Sequence, residues 1–259
     1  MLSLLKEFND ISKRMSTKSK KSIVGSGTEK VIRILAYGDS YTAGWHNNGN
    51  SMTPYAPALE KELQRLIDID NYNYNNNFKV VVRHRGLSGW SAKDMVQISD
   101  RKNIGLGALL EESQERMTST ESYSSQEQDN PFITVCIIMV GTNDIGRMTS
   151  QETHEDIYNH IITLHKIAHD KHVYTISLDI PPSERSYSEI NKINTILQHE
   201  NDKGMRIHVK FPDSLINNSH VWDNDRLHLT DYGYKQFGVN IAYDIYNALK
   251  KLDIISKNI

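Results

Sequence analysis

The chain has 259 residues, 38% hydrophobic and 24% charged, which excludes a wholly disordered polypeptide and fits one large domain about as well as two small ones. Thirty basic against 32 acidic residues leave a formal charge of −2, so no global basic field is available to hold a nucleic acid by phosphate neutralisation. No apolar run approaches the ~20 residues of a membrane-spanning helix, and the single cysteine, Cys136, forbids an internal disulfide and a Cys-based zinc site.

Residues 1–12 mix Leu2, Leu4, Leu5, Phe8 and Ile11 with Lys6, Glu7 and Asp10, an amphipathic pattern rather than a secretory leader. Residues 13–30 turn basic and rich in Ser, Gly and Thr, and residues 1–30 as a whole read as a mobile basic arm with seven basic and three acidic residues. Cysteine usage implies a reducing compartment, so a cytoplasmic location is expected. Organelle targeting by the arm is the alternative, and Glu7 and Asp10 weigh against it.

From residue 31 onward strands and helices alternate, the pattern expected of one domain over 31–259. Residues 31–37 (VIRILAY) form a β-branched apolar run closed by Gly38, the pattern of a buried strand. Ala58, Leu59, Leu63, Leu66 and Ile67 recur at helical spacing within 55–69, and the Asn/Tyr-rich stretch 72–77 reads as a polar loop. Residues 78–84 (FKVVVRH) predict a second strand, ended by Gly86 and Gly89. Glu, Gln, Ser and Thr dominate 111–130, read as a long surface insertion. Residues 132–140 (FITVCIIMV) are the most strand-like stretch and should lie centrally in the sheet. A helix over 151–169, a strand over 172–178 stopped by Pro181-Pro182, a helix over 187–200, a short strand over 205–210 and a final helix over 231–252 follow. Such alternation implies an α/β protein with a parallel sheet covered by helices on both faces. Working residues in such sheets sit in loops at the carboxyl ends of the strands.

The first strand ends in Gly38-Asp39-Ser40-Tyr41-Thr42-Ala43-Gly44. A serine there presents its hydroxyl and a free backbone N–H at the rim, though read alone Asp39 or Ser40 simply caps the next helix. The second ends in Gly86-Leu87-Ser88-Gly89-Trp90-Ser91, where a glycine can aim its N–H into a cleft or merely make a turn. The third ends in Gly141-Thr142-Asn143-Asp144, and the Asn143 amide is a neutral donor suited to a developing oxyanion or to a polar turn. Before the last helix comes Asp225-Arg226-Leu227-His228, a carboxylate three residues before an imidazole, enough to orient a general base within one turn of loop. Each block is weak alone; in combination they supply nucleophile, oxyanion donors, base and orienter.

With these four blocks in this order, the sequence resembles the GDSL or SGNH hydrolases over roughly residues 31–250. Gly38-Asp39-Ser40 matches the first block, Gly89 the second, Gly141 to Asp144 the third and Asp225 to His228 the last. The resemblance implies a three-layer α/β/α flavodoxin-like fold with a five-stranded parallel sheet. It implies Ser40 as nucleophile, His228 as general base, Asp225 as its orienter, and an oxyanion hole from the Ser40 and Gly89 N–H groups and the Asn143 side chain. Two residues depart from the family pattern: Tyr41 replaces the usual aliphatic residue, and Arg226 stands where glycine is common. They bear on substrate preference and leave the chemistry intact.

The expected function is therefore hydrolysis of a small-molecule carboxylic ester, without metal or cofactor. The same machinery could serve a thioester, a lysophospholipid, an O-acetyl sugar, or acyl transfer to an alcohol. A non-catalytic binding module on this fold is the alternative from another class, and a covalent serine probe distinguishes it. No Gly-x-Ser-x-Gly elbow, Walker loop or Gly-x-Gly-x-x-Gly after a strand is present. His165 and His169 stand four apart on a helix, read as a solvated face rather than metal ligands; Cys136 reads as a small buried hydrophobe. The Asn217-Asn218-Ser219 sequon is silent without secretion. Finally, all three tryptophans adjoin a block: Trp45 after Ser40, Trp90 after Gly89, Trp222 before Asp225. With Tyr41, and with Arg147 at the rim, they are the candidates for a substrate pocket, Trp90 first. The alternative for each ring is a place in the core beneath the loops.

Overall fold

The structure, a computed structural model, describes residues 29–74, 78–118, 132–183, 186–199 and 204–255. In chain order it contains β1 (Lys30–Gly38), α1 (Ser40–Ala43), the short strands β2 (Trp45–His46) and β3 (Ser51–Met52), α2 (Ala56–Tyr74) and β4 (Phe78–Gly86). Then come α3 (Ala92–Gln97), α4 (Leu106–Thr118), β5 (Val135–Met139), α5 (Thr142–Arg147), α6 (His154–Asp170) and β6 (Tyr174–Leu178). The chain continues through α7 (Tyr187–His199), β7 (Arg206–Val209), α8 (Asp213–Ile216) and α9 (Asp231–Lys251).

Two expected loops are partly helical. The Asn/Tyr-rich stretch has neither Gly nor Pro to stop α2, which runs on to Tyr74, and residues 75–77 lie outside the described residues. Helix α4 absorbs the first part of the expected insertion: Leu106 and Leu110 are buried and Glu111 is exposed. Glu and Gln favour helix strongly enough to carry an amphipathic segment that polarity alone makes look like a loop. Residues 119–130 of that insertion and 1–28 of the basic arm lie outside the described residues.

The five long strands pair in parallel in the order β4-β1-β5-β6-β7. The chain moves from β1 outward to β4 and then returns past β1 to β5. Right-handed crossovers therefore place α2 on one face and α4, α6 and α7 on the other. Helix α9 joins α2: Leu59, Leu63 and Ile67 share one apolar cluster with Tyr234, Phe237, Ile241 and Ile245. Ile157, Ile161 and Leu164 of α6 and Ile190, Ile193 and Leu197 of α7 make the second cluster. Strand β5 lies between the two clusters and is buried throughout, which explains why it reads as a continuous apolar run.

The direction reverses between β1 and β5. The connections leaving these neighbouring strands diverge to opposite faces and open a crevice at their carboxyl ends. Ser40 follows β1, and Asn143 follows β5.

Candidate active site

Gly38 sets the turn after β1. A Cβ there would lie 2.0 Å from the Met139 carbonyl oxygen, so only glycine lets β1 and β5 end this close together. The Asp39 N–H reaches that carbonyl at 3.4 Å, and the Gly38 carbonyl accepts the Leu87 N–H at 2.7 Å, joining the first three blocks. Asp39 then caps α1, its Oδ1 accepting the Tyr41 N–H at 3.0 Å. Burial pushes the Asp39 carboxyl up to about 7; the Tyr41 N–H opposes this and the nearby Asp144 charge adds to it.

Ser40 opens α1, so its N–H has no partner within the helix. Its Oγ lies 2.9 Å from His228 Nε2. On the other side of the ring, His228 Nδ1 lies 2.7 Å from Asp225 Oδ2. The second Asp225 oxygen accepts the Leu227 and His228 N–H groups, both at 2.9 Å. Burial raises the Asp225 pKa, but the His228 ring and these two amides outweigh it and hold the carboxyl below its ordinary value. This geometry keeps the proton on Nδ1 and leaves Nε2 as an acceptor for the Ser40 proton. Arg226 in the same loop has φ +54°, the left-handed region that accounts for glycine being common at this position.

Asn143 Nδ2 donates to the Trp90 carbonyl at 3.0 Å, which spends one of its two hydrogens and leaves the other to point elsewhere. Gly89 has φ +81°, and a Cβ there would meet open space, so conformation rather than crowding calls for glycine. Asp144 locks the two loops, its Oδ2 accepting the Ala92 N–H at 2.7 Å and its Oδ1 the Lys93 N–H at 3.4 Å.

The pocket candidates separate. Tyr41 is fully buried: its hydroxyl donates to the Leu227 carbonyl and its ring centroid lies 5.6 Å from that of His228. Trp45 is half-buried, its ring 4.2 Å from the imidazole, with its carbonyl held by the Tyr234 hydroxyl at 2.9 Å. Trp90 packs half-buried against the second apolar cluster. Arg147 is bound to the Gly89 carbonyl and, at 3.2 Å, to Asp94, so it braces the glycine loop. Trp222 alone of the tryptophans borders the broad groove of about 1060 Å³ beside the histidine loop.

The histidine pair on α6 departs from the expected solvated face. His165 does not lie on a solvated face: it is fully buried, and neither ring nitrogen has a hydrogen-bond partner. It follows Ile161 by four and so shares the buried stripe of α6. His169 reaches the Thr175 hydroxyl at 2.9 Å. Among the described residues no group of three or more His, Cys, Asp or Glu could hold a metal ion. Cys136 is buried in β5 as expected.

Sequence reasoning missed the Tyr41 strut, the Asp144 lock and the bracing role of Arg147. Asp144 directly after Asn143 was the one visible signal, but its partner amides are about fifty residues away.

This parallel sheet, with a serine turn at its switch point, is a three-layer α/β/α fold. The family model of the GDSL-like Lipase/Acylhydrolase family matches residues 36–236, and the chain belongs to that family of ester-hydrolysing enzymes. Solved structures agree in fold. A lipase/acylhydrolase from Enterococcus faecalis superposes with TM-score 0.55 at 19% identity, over 85% of this chain and 98% of that one. A putative lipolytic protein of the G-D-S-L family from Desulfitobacterium hafniense gives 0.53 at 16% identity, over 84% and 98%. A carbohydrate esterase family 3 protein from Talaromyces cellulolyticus gives 0.57 at 14% identity, over 87% and 100%. No curated protein matches the chain by sequence. Among the described residues no helix is long and apolar enough to cross a membrane.

Proposed function

We propose that the protein hydrolyses small carboxylic esters through an acyl-enzyme on Ser40. The observation that carries this reading is the continuous chain from Ser40 Oγ to His228 Nε2, 2.9 Å, and from His228 Nδ1 to Asp225 Oδ2, 2.7 Å. His228 Nε2 takes the Ser40 proton as Oγ bonds to the acyl carbon. The charge gathered on the carbonyl oxygen is met by the Ser40 and Gly89 N–H groups and the free hydrogen of Asn143 Nδ2. The ester C–O bond then breaks, and the imidazolium returns the proton to the departing alcohol oxygen. Water attacks the acyl-enzyme by the same route, its proton passing to Nε2 and then to Ser40 Oγ as the acid leaves. Asp225 keeps the ring oriented and stabilises its charged form throughout.

The test is fluorophosphonate labelling together with turnover of p-nitrophenyl acetate. Wild-type protein should label at Ser40 and turn over, and Ser40→Ala should do neither while melting like wild type. Undiminished turnover in pure Ser40→Ala protein would overturn the reading.

A further inference from the structure

We propose that the groove beside the histidine loop is a carbohydrate subsite, which holds the sugar of an O-acyl saccharide while its acyl group meets Ser40. The proposal rests on the acyl-enzyme reading above and adds the class of alcohol. Segments that follow β6 and β7 line the groove, so it opens at the same end of the sheet as Ser40. Its remaining wall is the histidine loop. Asp223, Asn224 and Arg226 face the groove, while Asp225 and His228, interleaved with them, make the relay to Ser40. One short loop thus borders both the reacting serine and the groove.

The size and chemistry of the groove select the ligand. Its volume of about 1060 Å³ is at the upper end of small-molecule sites. A smaller hollow of about 180 Å³ shares Pro182, Tyr187, Asp213 and Ile216 with it, extending the same surface. Tyr187 at the start of α7 is 58% exposed, and Trp222 is half-buried, so each offers a ring to the groove. Flat rings of this kind cover the C–H face of a pyranose. Asp213, Asn217 and Asn224 supply carboxylate and amide groups that can bond neighbouring hydroxyls.

Other ligands fit less well. An acyl chain needs an enclosed apolar slot, and this groove carries Ser183, Asn217, Ser219 and Asn224 among its walls. An anionic headgroup would meet the carboxylates of Asp213 and Asp223 beside Arg226. The walls are also held in place. The Trp222 indole N–H bonds the Leu215 and Ile216 carbonyls at 3.0 and 3.1 Å, and Asp223 Oδ2 accepts the Asn47 N–H at 2.6 Å. A rigid platform of this kind loses little freedom on binding.

The experiment compares glucose pentaacetate with p-nitrophenyl acetate in wild type, Tyr187→Ala and Asp213→Ala. Tyr187 is exposed, so its removal does not threaten the fold. Each variant should lower kcat/KM for the sugar ester about five- to tenfold more than for p-nitrophenyl acetate, chiefly through KM. Equal losses on both esters, or no loss, would overturn the subsite. Binding is read separately by saturation-transfer NMR of xylobiose on the Ser40→Ala protein, where contact should be present and should weaken on adding Tyr187→Ala. Absence of contact counts against the subsite. If wild type turns over neither ester while xylobiose contact persists, the acyl-enzyme reading fails and the sugar site stands.

Discussion

The Tyr41 hydroxyl donates to the Leu227 carbonyl across 186 residues of sequence, so one buried phenol ties the turn that carries Ser40 to the loop that carries His228. Burial, with the charges of Tyr234, Asp39 and Asp225 adding, raises the Tyr41 pKa well above its ordinary value and keeps the donor protonated. The position that departs from the family pattern thus acts on the spacing of Ser40 and His228.

Tyr41→Phe should keep the ring beside His228 and leave the Leu227 carbonyl without its donor. A loss of about 1–3 kcal/mol is expected in denaturant unfolding. Looser alignment of Oγ with Nε2 should also lower kcat about tenfold, with KM changing much less. Lost stability with unchanged kcat would restrict Tyr41 to a structural part.

Under the proposed mechanism, Asn143→Ala should reduce kcat by about 10²–10³, the cost of one oxyanion donor. KM should move less, since the bond strengthens only as charge develops. Steady-state kinetics on p-nitrophenyl acetate give both numbers. A sharp rise in KM at constant kcat would make Asn143 a ground-state binding residue instead.

Asp39→Asn should stabilise the protein, and more so at pH 8 than at pH 4. The folded-state pKa of about 7 exceeds the ordinary carboxylate value near 4, so the native state holds a proton that the unfolded chain releases. Wild-type stability therefore falls as pH rises from about 4 to about 7, through this group. The amide carbonyl can still cap the Tyr41 N–H without a buried charge. Melting temperatures of both proteins across this range check the trend, and a constant difference would refute it.

His165→Leu should improve stability in acid. Burial, with the Arg206 charge and nearby His169 and His208 adding, lowers the His165 pKa well below its ordinary value, so the native ring stays neutral. The unfolded chain takes up a proton below about pH 6.5, and wild-type stability is lost as pH falls through that value. At pH 5 the variant should avoid about 2 kcal/mol of this loss. Urea unfolding at pH 5 and pH 8 measures it, and an equal effect at both pH values would exclude the titration.

How much of this was legible in the sequence depends on the range of the interaction. The buried strands show as continuous apolar runs because a parallel sheet is covered on both faces, and β5, central as expected, is the clearest case. The four blocks were visible because each is a short local segment at a strand end or before α9. Asp225 and His228 are three residues apart, close enough for local sequence to pair them.

Other features depended on which faces meet after folding. The sequence presented Tyr41 and Trp90 as pocket candidates; packing buries Tyr41 beneath the histidine loop and sets Trp90, half-buried, against an apolar cluster. His165 looked like a polar residue on a helix surface until α6 turned that side toward the core. The groove joins Tyr187 and Asp213, from segments that carry no motif, to Trp222, which the sequence did single out beside the Asp225 block. Hydrophobic periodicity determined the elements and their order, because it is written within each segment. Tertiary packing decided the struts, the buried imidazole and the groove, because their energies arise only between side chains that the crossovers bring together.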